Sequence, residues 1–148
     1  MTATYLIIAV LLLLANAFFV AAEVAVIATA GRRFTIEELA SRGRLSARMA
    51  RASVQELSFA LTGAQLGITM ASLGLGFVAE PAVASVLATG LGSVTEIPEP
   101  FVHAIAAVIA LSLVVFLHMV IGEMAPKNVA IAEPIRTALW VAIPFRLY

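Results

Sequence analysis

Three long apolar runs set the plan of this chain. The first extends from about Thr4 to Thr29, and Asn16 and Glu23 are the strongly polar residues inside it. The second extends from about Leu57 to Ala79, and the third from about Phe101 to Gly122. Each is long enough, at about 1.5 Å per helical residue, to cross the roughly 30 Å of a bilayer's hydrocarbon core. The pattern therefore predicts an all-α integral membrane protein with three transmembrane helices. The stretch from 31 to 53 has a different pattern. Apolar Ile36, Leu39, Ala40, Leu45 and Met49 alternate with Arg32, Arg33, Arg42, Arg44, Arg48 and Arg51, and Gly43 divides them. This reads as two short amphipathic helices over about 34–53, lying along the membrane surface. A last apolar stretch, 137–148, is too short to span and reads as a further juxtamembrane segment, with Trp140 and Tyr148 as interface anchors.

Polar positions inside apolar runs carry the candidate chemistry. Asn16 and Glu23 are seven residues apart, so a helix places them on nearly the same face. Asn16 suits a helix–helix hydrogen bond, and Glu23 a pairing with Arg32 or Arg33. In the second run Thr62, Gln65, Thr69, Ser72 and Gly76 recur at alternating three- and four-residue steps, which makes one polar stripe. Two readings stand: hydroxyls bonded to their own helix or across helices, or the wall of a hydrophilic cavity. Gly63 and Gly67 form a G-x-x-x-G pair that permits close helix approach. Glu80 to Pro100 is acidic and rich in Pro and Gly, and reads as an outer loop with a short apolar helix near Val83 to Leu91.

The densest signal is the end of the third run, where Gly122, Glu123, Met124, Ala125, Pro126 and Lys127 follow apolar residues. A carboxylate at this depth needs a partner or a task. Pro126 has no N–H, so in an α-helix the Gly122 carbonyl, four residues back, would lack its amide donor. A free carbonyl beside a carboxylate suits a hard cation such as Mg²⁺ or Na⁺. The plainer reading is a helix end with Lys127 as the partner of Glu123. Ser112, eleven residues before Glu123, falls on the same face of an uninterrupted α-helix. His118 is read as a structural hydrogen-bonding residue, because no second His lies at ligand spacing.

Composition narrows the picture further. The 148 residues are 62% hydrophobic and 12% charged, far below the charge of a soluble domain. Lys+Arg and Asp+Glu are equal at nine each, and all the acids are Glu. No basic, aromatic-interleaved patch points to nucleic acid. The absence of Cys excludes disulfides and thiolate ligands. No nucleophile–base set is visible, so an enzyme is not expected. Ala28, Thr29 and Ala30 look like a signal-peptidase site, but no basic residue precedes the first run, which is also too long for a signal sequence. Arginines between the first two runs and glutamates between the second and third place the N-terminus outside and the basic hairpin inside. The apolar C-terminus reads as that of a fragment.

ANAFFVAAEVAVI (Ala15 to Ile27), TGAQLGITMASLGLGFVAEPAV (Thr62 to Val83), HMVIGEMAPKNVAIAEP (His118 to Pro134) and the basic linker together resemble the transmembrane domain of the CNNM/CorC magnesium-transporter family, whose bacterial members are often labelled hemolysin-like. The resemblance implies a homodimer in the plasma membrane, three helices per protomer with a juxtamembrane belt, and an inward-open acidic cavity for one divalent cation. It implies Mg²⁺ export exchanged for Na⁺, regulated by cytoplasmic CBS domains that this chain does not contain. Carried over residue by residue, it makes Glu123 the charged ligand; Thr69 and Ser72, which retain oxygens, and the Gly122 carbonyl argued above are then the expected neutral ones. Asn16, Gly67, Pro126 and Ser112 would support them. Many members have Ser where this chain has Val20, and Asn near Ile68, so two expected oxygens are missing. The alternative reading is a dimeric membrane anchor or regulatory scaffold that moves no ion.

Overall fold

The computed structural model describes residues 2–92 and 98–148, and Glu96 of the expected outer loop lies outside them. Every element among the described residues is helical. α1 spans Thr2–Ala30, α2 Arg33–Ser41, α3 Leu45–Gln55, α4 Leu57–Gly92 and α5 Glu99–Leu117. A π-helical segment, His118–Met124, then leads without a break into α6, Ala125–Ala132, and α7 follows at Pro134–Leu147. Three stretches are long and apolar enough to cross a membrane: Ala3–Ala30, Leu57–Leu91 and Glu99–Ala132.

α1 is the centre of the fold, touching α4, the π segment, α6 and α7. Its contacts are made with small residues. Ala22, Ala25, Ala64 and Ala130 are fully buried, and alanine at these positions lets helix backbones approach closely where lipid supplies no hydrophobic drive. Val102, Ala106, Ala110 and Val114 recur every four residues and form the one buried stripe of α5. Exposed Phe101, Val108, Leu111, Leu113 and Phe116 cover its other faces, as expected of a helix bathed in lipid.

The amphipathic helices gather at the C-terminal end of α1. Ile36 of α2, Ala50 of α3, Ala130 of α6 and Ala138 and Ala142 of α7 pack there with Ala25. Gly43 adopts φ 81 between α2 and α3, a left-handed conformation that costs glycine little. The buried Thr29 hydroxyl donates to the Pro134 carbonyl at 3.4 Å, fastening the end of α1 to the start of α7. Arg146 pairs with Glu56 at 2.7 Å, tying α7 to the corner between α3 and α4. Trp140 is exposed, whereas the Tyr148 ring meets Phe19 of α1 at a tilt of 60°, with ring centroids 4.8 Å apart.

The structure corrects the expected outer loop. α4 does not stop at Ala79; it continues through Pro81 to Gly92 and takes in the short helix expected near Val83 to Leu91. An interior proline costs about 3 kcal/mol, yet Ala88 packs with Val102 and Ala106 of α5, with Leu87 and Leu91 against them. That continued packing, together with the tolerance of proline in membrane helices, outweighs the local preference to break.

Candidate cation site

One polar cluster joins all three long spans, and Asn16 of α1 is its keystone. Its side chain is fully buried. Nδ2 donates to the Gly122 carbonyl at 3.0 Å, and Oδ1 accepts from the Ser72 hydroxyl of α4 at 3.0 Å. Ser72 Oγ also lies 3.3 Å from His118 Nε2. The same nitrogen stands 3.8 Å from Glu123 Oε1. Among the described residues no buried side-chain nitrogen or oxygen is left without a hydrogen-bond partner.

These contacts fix where the protons are. A carbonyl only accepts, so Asn16 must present its NH₂ to Gly122 and its oxygen to Ser72. The Ser72 proton then points to Asn16, and Ser72 can only accept from His118. Nε2 of His118 therefore carries a hydrogen directed to the Ser72 oxygen, with Glu123 Oε1 3.8 Å away.

The π segment makes this arrangement possible. His118 and Glu123 are five residues apart, and in an α-helix they would point about 140° away from each other. A π-helix closes its hydrogen bonds over five residues, so the two side chains come onto one face. The Ala125 N–H bonds to the Val120 carbonyl, five residues back, at the exit from the segment. Gly122 must lack a side chain here. A Cβ on it would sit 2.9 Å from the His118 ring and 3.2 Å from Asn16 Nδ2.

Glu123, Gly122, Ser72 and Asn16 come together. The Gly122 carbonyl is not free, however: Asn16 takes the place of the amide that Pro126 lacks. Thr69 is exposed and its hydroxyl bonds to the Gln65 carbonyl of its own helix at 2.8 Å, so it does not join the cluster. Thr62 does the same with Ser58 at 2.9 Å. The polar stripe of α4 is thus mostly self-bonded, with Gln65 and Ser72 as the members that reach α1. Gln65 donates to Glu23 at 3.3 Å, a partner not foreseen for either residue. Ser112 is exposed and bonds to Val108 at 2.8 Å. The π segment takes more residues per turn than an α-helix, so eleven residues no longer close three turns between Ser112 and Glu123. Glu123 pairs with His118, not with Lys127. Val20 is buried at 4% exposure and offers no oxygen.

Gly67 is a close-contact glycine, since a Cβ there would stand 2.6 Å from the Phe19 ring. Gly63 has nothing within 4 Å of the equivalent point. The G-x-x-x-G pair therefore acts through one glycine within this chain. Pro126 lies in a groove of about 810 Å³ with Leu14, Phe18, Val129 and Trp140. That groove is lined mainly by apolar side chains and does not include Glu123.

The fold and cluster define a three-span α-helical membrane domain with a polar site built on a π turn. The chain belongs to the Cyclin M (CNNM) family: residues 7–148 match the family's transmembrane N-terminal domain. It is 43% identical over 140 residues to an uncharacterized protein of Mycobacterium tuberculosis, covering 95% of this chain and 39% of that protein. It is 40% identical over 133 residues to the UPF0053 protein YhdT of Bacillus subtilis, covering 90% and 28% respectively. A second Bacillus subtilis relative, the UPF0053 protein YugS, is 41% identical over 129 residues, or 87% and 29%. The chain spans well under half the length of these relatives.

Proposed function

We propose that this chain is the membrane domain of a divalent-cation transporter in the plasma membrane, exporting Mg²⁺ against Na⁺ as a homodimer. The observation that carries the reading is the meeting of Glu123, Ser72 and Asn16, one polar group from each span, at a single level. A cation held there is released by any relative motion of α1, α4 and the π segment, which is what alternating access requires. With one carboxylate and few oxygens, a Mg²⁺ passing through keeps part of its water shell, since it dehydrates reluctantly. CBS domains elsewhere in a longer parent protein would regulate the motion.

The test is Mg²⁺ flux in proteoliposomes with and without a Na⁺ gradient, for the wild type and Glu123→Gln. Flux that needs the gradient and disappears in the variant supports the proposal. The mutual satisfaction of Asn16, Ser72 and Gly122 favours a second reading, a non-transporting membrane anchor. Folded wild-type protein that carries no Mg²⁺ under either condition would establish it.

A further inference from the structure

Two hollows adjoin beside α7, and they differ in chemistry. The larger, about 810 Å³, is the groove that Pro126 borders. Leu14, Ala17, Phe18 and Ala21 of α1 line it, and their three- and four-residue steps keep them on one face of the helix. Val129 of α6 borders it as well. The smaller hollow, about 610 Å³, lies among Leu39 of α2, Arg44 and Leu139 of α7. Arg136 and Trp140 line both, so an apolar trough runs into a basic one. Arg136 is 84% exposed and gives one guanidinium nitrogen to Glu133 at 3.2 Å. Arg44 enters no ion pair among the described residues. The hairpin that supplies it, 31–53, carries six arginines against two glutamates.

We propose that this double groove is a site for one anionic phospholipid, with an acyl chain along α1 and the phosphate between Arg44 and Arg136. Exposed Leu14 and Val129 belong to spans apolar enough to cross the bilayer, so the trough opens where lipid chains are. Apolar walls alone would accept any chain; the arginines add a preference for charge. A guanidinium presents parallel N–H groups that match the oxygens of a phosphate. Basic residues beside a membrane helix draw anionic headgroups to themselves. Trp140, at the junction of the two hollows, carries an indole N–H that only donates and can serve an ester carbonyl of the same lipid. Glu133 is the carboxylate that lines the groove, and its exposed pairing with Arg136 is of the kind worth little, so a phosphate competes for that guanidinium. A lipid held there braces α1 against α6 and α7. The proposal does not depend on whether the polar cluster moves an ion.

The experiment is native mass spectrometry of the detergent-solubilised chain, offered phosphatidylglycerol or phosphatidylcholine with the same acyl chains. The wild type should retain phosphatidylglycerol roughly tenfold better, the scale expected of two arginines at an anionic surface. Arg44→Gln combined with Arg136→Gln should lose most of that preference. Arg48→Gln combined with Arg51→Gln removes the same charge outside both hollows and should keep it. Val129→Trp keeps every charge but fills the trough, and should lower retention of phosphatidylglycerol. Equal retention of the two lipids by the wild type, or equal losses in the two double variants, would overturn the inference. Full displacement of phosphatidylglycerol by inorganic phosphate would overturn it too, by showing an anion site with no use for an acyl chain. A wild-type dimer that retains no phosphatidylglycerol and falls apart in Val129→Trp would show that a second copy covers the groove instead. If the variants do not fold, phosphatidylglycerol with a diazirine on its acyl chain decides with the wild type. Labelling concentrated in residues 14–21 and 126–140 supports the site, and labelling no denser there than on the exposed face of α5 overturns it.

Discussion

Asn16 sits where no water reaches it, with both ends of its amide engaged. Asn16→Leu leaves the Gly122 carbonyl and the Ser72 hydroxyl without their partner. The expected cost is about 1–3 kcal/mol, the usual penalty for stranding buried polar groups, read as a lowered melting temperature in detergent. Gly67 makes a different kind of demand. An alanine there meets the Phe19 ring at 2.6 Å, and that ring is itself held between Phe18 and Tyr148. Gly67→Ala should therefore destabilise by about 1–3 kcal/mol, whereas Gly63→Ala, with open space around it, should stay within about 0.5 kcal/mol. Equal melting shifts for the two would show that Phe19 does not press on Gly67. At this scale the sequence is partly legible. Glu123 stands out because a carboxylate interrupts an apolar run, and Asn16 for the same reason. His118 does not, because its relation to Glu123 depends on a five-residue repeat that no α-helical spacing reveals. Thr69 misleads because a hydroxyl that serves its own helix looks the same in sequence as one that faces a cavity.

Among elements, the π segment is the part that gives the third span its chemistry. Its cause can be read in part from Pro126, which denies the Gly122 carbonyl an amide. The answer the fold gives, an asparagine from another helix, cannot be read there, because it joins positions 106 residues apart. The substitution of each partner tests the account. Pro126→Ala supplies a backbone N–H that can reach Gly122 in an α-helical turn. Asn16→Leu should therefore cost less in the Pro126→Ala background than in the wild type, with a coupling of roughly 0.5–3 kcal/mol in a double-mutant cycle of thermal melts. Additive effects would mean that the two do not serve the same carbonyl. α4 teaches the converse lesson about proline. Pro81 and the glycines around it read as an outer loop, yet Ala82 stays buried and Ala88 packs against α5. Local signals lose to tertiary packing where a partner helix runs alongside.

For the molecule as a whole, three spans and a surface hairpin follow from apolar run length and from arginine placement, because the bilayer enforces both. The arrangement around α1 does not follow, since alanine-rich contacts look alike on every helix. Orientation is open to direct measurement. With the N-terminus outside, a cysteine at exposed Glu99 should react with an impermeant thiol reagent added outside intact cells, and one at exposed Ser41 should not. The opposite labelling would invert the topology. α4 also has a mechanical side. From Leu57 to Leu91 it runs 35 residues, about 52 Å, which is far more than the roughly 30 Å of hydrocarbon. Its first charged residue, Glu80, comes after about 35 Å of apolar helix, so the remainder exceeds what a hydrocarbon core needs, and α5 runs beside it. Ser72 is the point at which this rod is fastened to the cluster, and Thr89 lies 17 residues further along, about 26 Å away. A pivot of about 10° at Ser72 then carries Thr89 through roughly 4.5 Å, by the rise of the helix alone. A spin label at Thr89 would therefore turn a small tilt at the cluster into a displacement of several ångströms.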